Sequence, residues 1–119
     1  MQKSPLEAVL AALSDPTRRR ATELLHATDE LCVCELMEAL EASQSRMSRH
    51  MAALKDAGLV LDRRDAQWVR YRLNPNLPAA IRGVVRSIMA ASREETGRTQ
   101  TGIKPNRKTS GRPRERATP

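Results

Sequence analysis

Cys32 and Cys34 stand one residue apart in the stretch Glu30-Leu31-Cys32-Val33-Cys34-Glu35-Leu36-Met37, and the chain holds no other cysteine. Thiolates are soft donors that suit thiophilic ions and serve magnesium or calcium poorly. In a reducing compartment such a pair is more often a metal or redox site than a structural disulfide. Two incidental thiols are the plainer alternative. A thiol enzyme would need an activated thiolate beside anion-binding groups, whereas the neighbours here are Glu30 and Glu35, which repel oxyanions. No enzyme and no catalytic cofactor are therefore expected.

A second group of residues follows directly. A helix opened by Ser43 or Gln44 and closed by Gly58, a suitable C′ glycine, would span Gln44–Ala57. At about 100° per residue, Met47, Met51 and Leu54 fall on one side. Ser45, Ser48, Arg49 and Ala52 lie nearly opposite, with no carboxylate until Asp56. Such a face suits a major groove, where arginine can bond guanine at two points and a small side chain permits close approach. Gln44 and Arg46 flank it, placed for base edges or phosphates. His50 lies between the faces, to touch a phosphate or close the edge of the core.

These residues need elements to hold them. Ser4-Pro5-Leu6-Glu7 has capping-box spacing, followed by an apolar stripe at Leu6, Val9, Leu10 and Leu13. Ser14-Asp15-Pro16 starts a second helix, to about His26, on which Arg18, Arg19 and Arg20 fan outward as solvated charges or a phosphate contact. Leu31 to Val33 allows two or three extended residues before a helix over Glu35–Leu40, and Ala42-Ser43 forms the turn. That pair of short helices has helix-turn-helix spacing. Beyond Gly58 the period changes to two, and 59–64 and 67–73 read as a hairpin bearing Arg63, Arg64, Arg70 and Arg72, a basic wing for DNA. Trp68 and Tyr71 are assigned to packing this hairpin on the domain. Its turn holds Ala66 where glycine is usual, so either the loop exceeds two residues or alanine is strained. A last helix is expected from about Leu77 to Ser92, with Leu77, Ile81, Val84, Val85 and Ile88 along one side. The fold class is mainly α with a small β-hairpin, a winged helix-turn-helix in the order α-α-α-α-β-β-α.

Charge divides the chain. The net charge is +7, but from residue 97 onward there are seven basic residues against Glu115, and residues 1–96 are nearly balanced. The expected division is a DNA-binding and sensor domain over 1–96 and a disordered basic tail over 97–119, either solubilising or a nonspecific nucleic-acid arm. Inside the domain, 29–41 holds five acids and no base, while 43–72 holds seven basic groups against three aspartates. No apolar run approaches the ~18 residues of a membrane span, and MQKSPLEAVL lacks a signal-peptide core. A cytoplasmic protein without membrane contact is expected.

The strings ELCVCEL and SQSRMSRHMAALKDAGLVLDRRDAQWVRYRL, with the order of elements, resemble the ArsR/SmtB family of winged-helix metalloregulators over about residues 5–92. The resemblance implies a bacterial repressor, paired as a homodimer through its first and last helices, that leaves double-stranded operator DNA when metal binds. ELCVC followed by an acid and a leucine resembles the arsenite- and antimonite-sensing branch, so Cys32 and Cys34 map onto two ligands and As(III) or Sb(III) is the implied inducer. Met37 stands where that branch has a third cysteine, and there is no cysteine before Cys32 and no histidine after His50. A methylated trivalent arsenical, which needs only two thiolates, is the rival inducer, and thiol oxidation the rival signal. Residues i and i+2 of a regular helix point about 200° apart. Sharing one arsenic atom therefore requires an extended segment or an unwound first turn, and ligand binding is expected to distort the start of that helix.

Overall fold

The computed structural model describes residues 4–103, with side chains through Gly97. Its elements are α1 (Pro5–Ala12), α2 (Pro16–Ala27), β1 (Leu31–Cys32), α3 (Val33–Leu40), α4 (Gln44–Asp56), β2 (Val60–Asp65), β3 (Trp68–Leu73) and α5 (Ala79–Ile103). α1 starts on the expected capping box, with the Glu7 amide donating to Ser4 Oγ at 3.1 Å and the Ser4 amide to Glu7 Oε1 at 3.4 Å. α2 starts on Asp15, whose carboxylate accepts from the Arg18 amide at 3.0 Å. The three arginines then separate in role. Arg18 Nε donates to the Ala12 carbonyl at 2.7 Å and Arg19 Nη1 to the Leu13 carbonyl at 2.9 Å, closing the otherwise unpaired end of α1. Only Arg20 is exposed.

The hairpin is part of a three-stranded antiparallel sheet in the order β1-β3-β2. The short third strand pairs Leu31 with Tyr71 and Cys32 with Arg70. Directly paired residues share a face. Val60, Tyr71 and Leu73 therefore turn to the core, while Arg63, Arg70, Arg72 and Trp68 turn outward. Asp65 pairs with Trp68, which leaves a two-residue turn with Ala66 at φ 58°. Of the two alternatives for this turn, the strained alanine is the one present. Trp68 corrects the packing assignment: it stands beside the turn on the outward face of the hairpin and is 44% exposed, whereas Tyr71 is buried. Burial, followed by the nearby Asp62 carboxylate, holds the Tyr71 hydroxyl above its ordinary pKa.

α3 and α4 make the helix-turn-helix, joined through Glu41 in the left-handed region (φ 53°). Met47, Met51 and Leu54 are fully buried, as their spacing predicts, and pack with Leu25, Leu36, Leu59 and Met89. The end of α4 is a Schellman motif. The Gly58 amide donates to the Lys55 carbonyl at 2.9 Å and the Leu59 amide to the Leu54 carbonyl at 3.0 Å, with Gly58 at φ 81°. Asn74 Nδ2 donates to the Gly58 carbonyl at 3.0 Å and Lys55 Nζ to Asp62 at 3.1 Å, tying the hairpin to the end of α4.

Two compact units divide after Met89. In the first, Val85 and Met89 of α5 are buried and Leu77, Ile81 and Ile88 pack against the core. In the second, α5 continues to Ile103, which corrects both the expected end near Ser92 and the expected disorder from residue 97. Gly97 does not take a positive φ and so does not stop the helix, and Thr96 Oγ1 donates to the Ser92 carbonyl one turn back at 3.0 Å. The remainder of the expected tail, 104–119, lies outside the described residues.

Two turn residues should answer to substitution with opposite signs. Gly58→Ala meets no atom within 4 Å, so its cost is the left-handed backbone alone, about 1 kcal/mol. Ala66→Gly relieves the same kind of strain and should stabilise by about 0.5–1 kcal/mol. Urea unfolding of the two variants measures both.

Candidate functional site

Cys32 is the residue at which the strand becomes a helix. Its backbone is extended (φ −83°, ψ 159°), and it caps α3, with the Cys34 amide donating to Cys32 Sγ at 3.2 Å. In return Glu35 Oε1 accepts from the Cys32 amide at 2.7 Å, which completes a capping box built on sulfur instead of a hydroxyl. Only Cys34 is inside the helix, so the 200° separation of a regular helix does not apply. The two sulfurs are bonded to each other, with Cα atoms 5.4 Å apart. Of the two alternatives for bringing the sulfurs together, the extended segment is the one present. Cys32 is buried while Cys34 is exposed, which gives the pair one face to solvent. Met37 is half-buried against the hydrophobic core. Among the described residues no group of three or more His, Cys, Asp or Glu side chains is gathered to hold a metal ion. Once reduced, the pair would offer two soft thiolates, which would fit a trivalent arsenic with a third valence already filled and would not fit zinc, which takes four ligands.

The thiol strand is tied to the wing. Glu30, just before β1, accepts two hydrogen bonds from Arg63 of β2, from Nε and from Nη2, each 2.8 Å. The hydrogen bond from Arg63 is the main cause that holds the Glu30 carboxyl below its ordinary pKa, and the charges of Arg70 and Arg72 add to it. At the hairpin tip Arg70 Nε donates to Asp65 at 3.0 Å. The extended residues expected at Leu31 to Val33 are present as β1, but sequence spacing reveals neither their pairing with β3 nor the Glu30–Arg63 pair, which joins residues 33 apart.

The predicted DNA-facing residues fall into three groups. Gln44, Ser45, Arg46, Ser48 and Arg49 are all exposed along one side of α4, with Ser43 capping the helix through the Arg46 amide at 3.3 Å. His50 turns inward, with its side chain 15% exposed and Nδ1 3.8 Å from Asp15 and 3.4 Å from Arg18, so it closes the edge between α4 and α2. On the wing, Arg63 and Arg70 are engaged with Glu30 and Asp65, whereas Arg64 and Arg72 are exposed and make no ion pair among the described residues. Trp68 joins this surface unforeseen; the one available signal was its place beside the turn.

A helix-turn-helix whose second helix shows an acid-free polar face, followed by a basic antiparallel wing, defines a winged helix-turn-helix DNA-binding protein. Comparison with known proteins agrees. Residues 15–61 match the family described as "Bacterial regulatory protein, arsR family". The chain is 51% identical over 84 residues to the arsenic resistance transcriptional regulator ArsR2 of Pseudomonas putida, covering 71% of this chain and 73% of that one. It is also 51% identical over 67 residues to the arsenical resistance operon repressor of Escherichia coli, covering 56% and 57% respectively. Among solved structures, reduced HlyU from Vibrio cholerae superposes with a TM-score of 0.62 at 31% identity, covering 73% of this chain and 87% of that one. The chain belongs to the arsR family of bacterial regulatory proteins. No helix among the described residues is long and apolar enough to cross a membrane.

The three groups predict three behaviours in DNA titrations. Arg49→Ala should cost about 1–3 kcal/mol on a preferred site and much less on unrelated DNA. Arg64→Ala should weaken all sequences alike and reduce the slope of log affinity against log salt by about 1. His50→Ala should lower the thermal midpoint and leave that slope unchanged.

Acid should separate Glu30 from its role. Its folded pKa is depressed, so the stability it contributes is present at neutral pH and is lost as pH falls through the folded value. The urea midpoints of wild type and Glu30→Gln should differ at pH 7 and converge below the ordinary carboxylate range.

Proposed function

We propose that this chain is a transcriptional repressor that holds operator DNA as a homodimer and releases it when trivalent arsenic bridges Cys32 and Cys34. The observation that carries this reading is the extended cap at Cys32, which sets the sulfurs of Cys32 and Cys34 side by side where the strand paired with the wing becomes α3. The exposed face of α4 would read the major groove and the wing would follow the backbone. The relatives' names, an arsenic resistance regulator and an arsenical resistance operon repressor, support the same inducer class. Leu6 and Leu10 of α1 are 43% and 47% exposed, and pairing through α1 and α5 would cover such side chains.

Met37, a neutral thioether half-buried against the core, is a poor ligand beside two thiolates, so coordination is by two sulfurs. Each thiol displaces one hydroxyl of the arsenic species, two As–S bonds form, and two waters leave. Arsenite or antimonite keeps a hydroxyl as its third group, whereas a methylated arsenical keeps carbon and should therefore compete well against arsenite. A second reading rests on the bonded sulfurs: oxidation of the pair, with two electrons and two protons passing to the oxidant, would also change the strand that carries the wing.

The test follows labelled DNA from the chain's own upstream region by fluorescence anisotropy during addition of arsenite, antimonite, methylarsenite or diamide. The arsenicals should weaken binding by about 5–150-fold, an ordinary range for coupled sites. Cys32→Ser and Cys34→Ser should bind DNA without responding. Release of the serine variants by arsenite would contradict the reading, and release of wild type by diamide alone would favour the second.

A further inference from the structure

The link from the thiol strand to the far edge of the wing is a single two-point contact. Arg63 presents Nε and Nη2 to the two carboxylate oxygens of Glu30, each at 2.8 Å. Glu30 stands two residues before Cys32, while Arg63 is on β2, the strand farthest from β1. The pair thus reaches across β3. Beneath it the ladder sets Cys32 opposite Arg70, and Arg70 opposite Arg63. Exposed ion pairs contribute little to stability. A fork-to-fork contact nevertheless fixes direction as well as distance, which a single bond does not.

We propose that Glu30 and Arg63 form a strut that carries occupancy of the Cys32–Cys34 pair into the wing, so that Glu30 is a positioning residue for DNA release. The proposal rests on the arsenical reading above. In the reduced pair the two thiols give their protons to the oxygen of the arsenical, which leaves as water, and the two As–S bonds that form fix the separation of the sulfurs and so displace Cys32 relative to Cys34. Cys34 belongs to α3, which packs on both α2 and α4, whereas Cys32 lies on a two-residue edge strand. The strand therefore takes up the displacement. Arg70 follows through the ladder and Arg63 through Glu30, which moves both strands of the hairpin together. The route runs through the sheet and needs no rearrangement of the reading helix.

The experiment measures DNA affinity with and without phenylarsine oxide for the full chain and for Glu30→Gln, Arg63→Lys and the double variant. The ratio of the two affinities is the readout, because a purely structural role would change the thermal midpoint and leave the ratio intact. Arg63→Lys keeps the charge and removes the fork. The ratio should fall at least ~3-fold toward unity in each single variant. The double variant should fall no further than either single one, as for two residues acting through one contact. Protection of both thiols from a thiol reagent confirms that phenylarsine oxide is bound throughout. An unchanged ratio in Glu30→Gln with both thiols protected overturns the strut and leaves the arsenical reading standing. Loss of thiol protection in Glu30→Gln also overturns it, since Glu30 would then belong to the arsenic site. A ratio of unity in wild type with its thiols protected defeats both.

Discussion

The site depends on one backbone choice: Cys32 is extended and Cys34 is helical. Had α3 begun one turn earlier, the two sulfurs would point to nearly opposite sides of the helix. Had it begun later, Cys34 would lose the amide position from which it donates to Cys32 Sγ. The capping box fixes the boundary, because Glu35 takes the Cys32 amide and Cys32 takes that of Cys34. The helix start and the thiol pair are therefore one arrangement, and a ligand that occupies the sulfurs acts directly on a helix cap.

The same boundary makes the cap part of the sheet. β1 is only two residues long, yet it pairs with β3 and so places the thiols beside the wing. The wing is in turn held to the end of the reading helix by Asn74 on Gly58 and by Lys55 on Asp62. Thiol pair, wing and α4 thus form one connected set of short polar contacts around a methionine- and leucine-rich core. Methionine fills irregular gaps at low cost, which suits a chain with no phenylalanine.

Local signals were legible in the sequence. Ser4 with Glu7, Asp15 with Pro16, and Gly58 set helix ends at the residues where the structure has them, since caps act within one turn. The inner face of α4 followed from the spacing of Met47, Met51 and Leu54, and its outer face from the absence of acids. Contacts distant along the chain were not legible. Nothing in the spacing of Glu30 and Arg63 announces their pairing, and the extended residues at Leu31–Cys32, though expected, carry too little pattern to show that they pair with β3. Trp68 was misplaced because an aromatic in a strand normally packs, whereas its register opposite Asp65 puts it on the outward face beside the turn. His50 was ambiguous for the same reason: its angle on α4 allowed two partners, and Asp15 and Arg18 on α2 decide it. The last helix ran long because a single glycine in a right-handed conformation does not end a helix.

The central claim is that this chain senses with two sulfurs and leaves Met37 uncoordinated against the core. X-ray absorption at the arsenic edge of the full chain loaded with arsenite tests it most directly. Two sulfur neighbours and one oxygen per arsenic are expected. With no free thiol in the buffer, three sulfur neighbours would contradict the account, because the third would have to come from a methionine or from another chain.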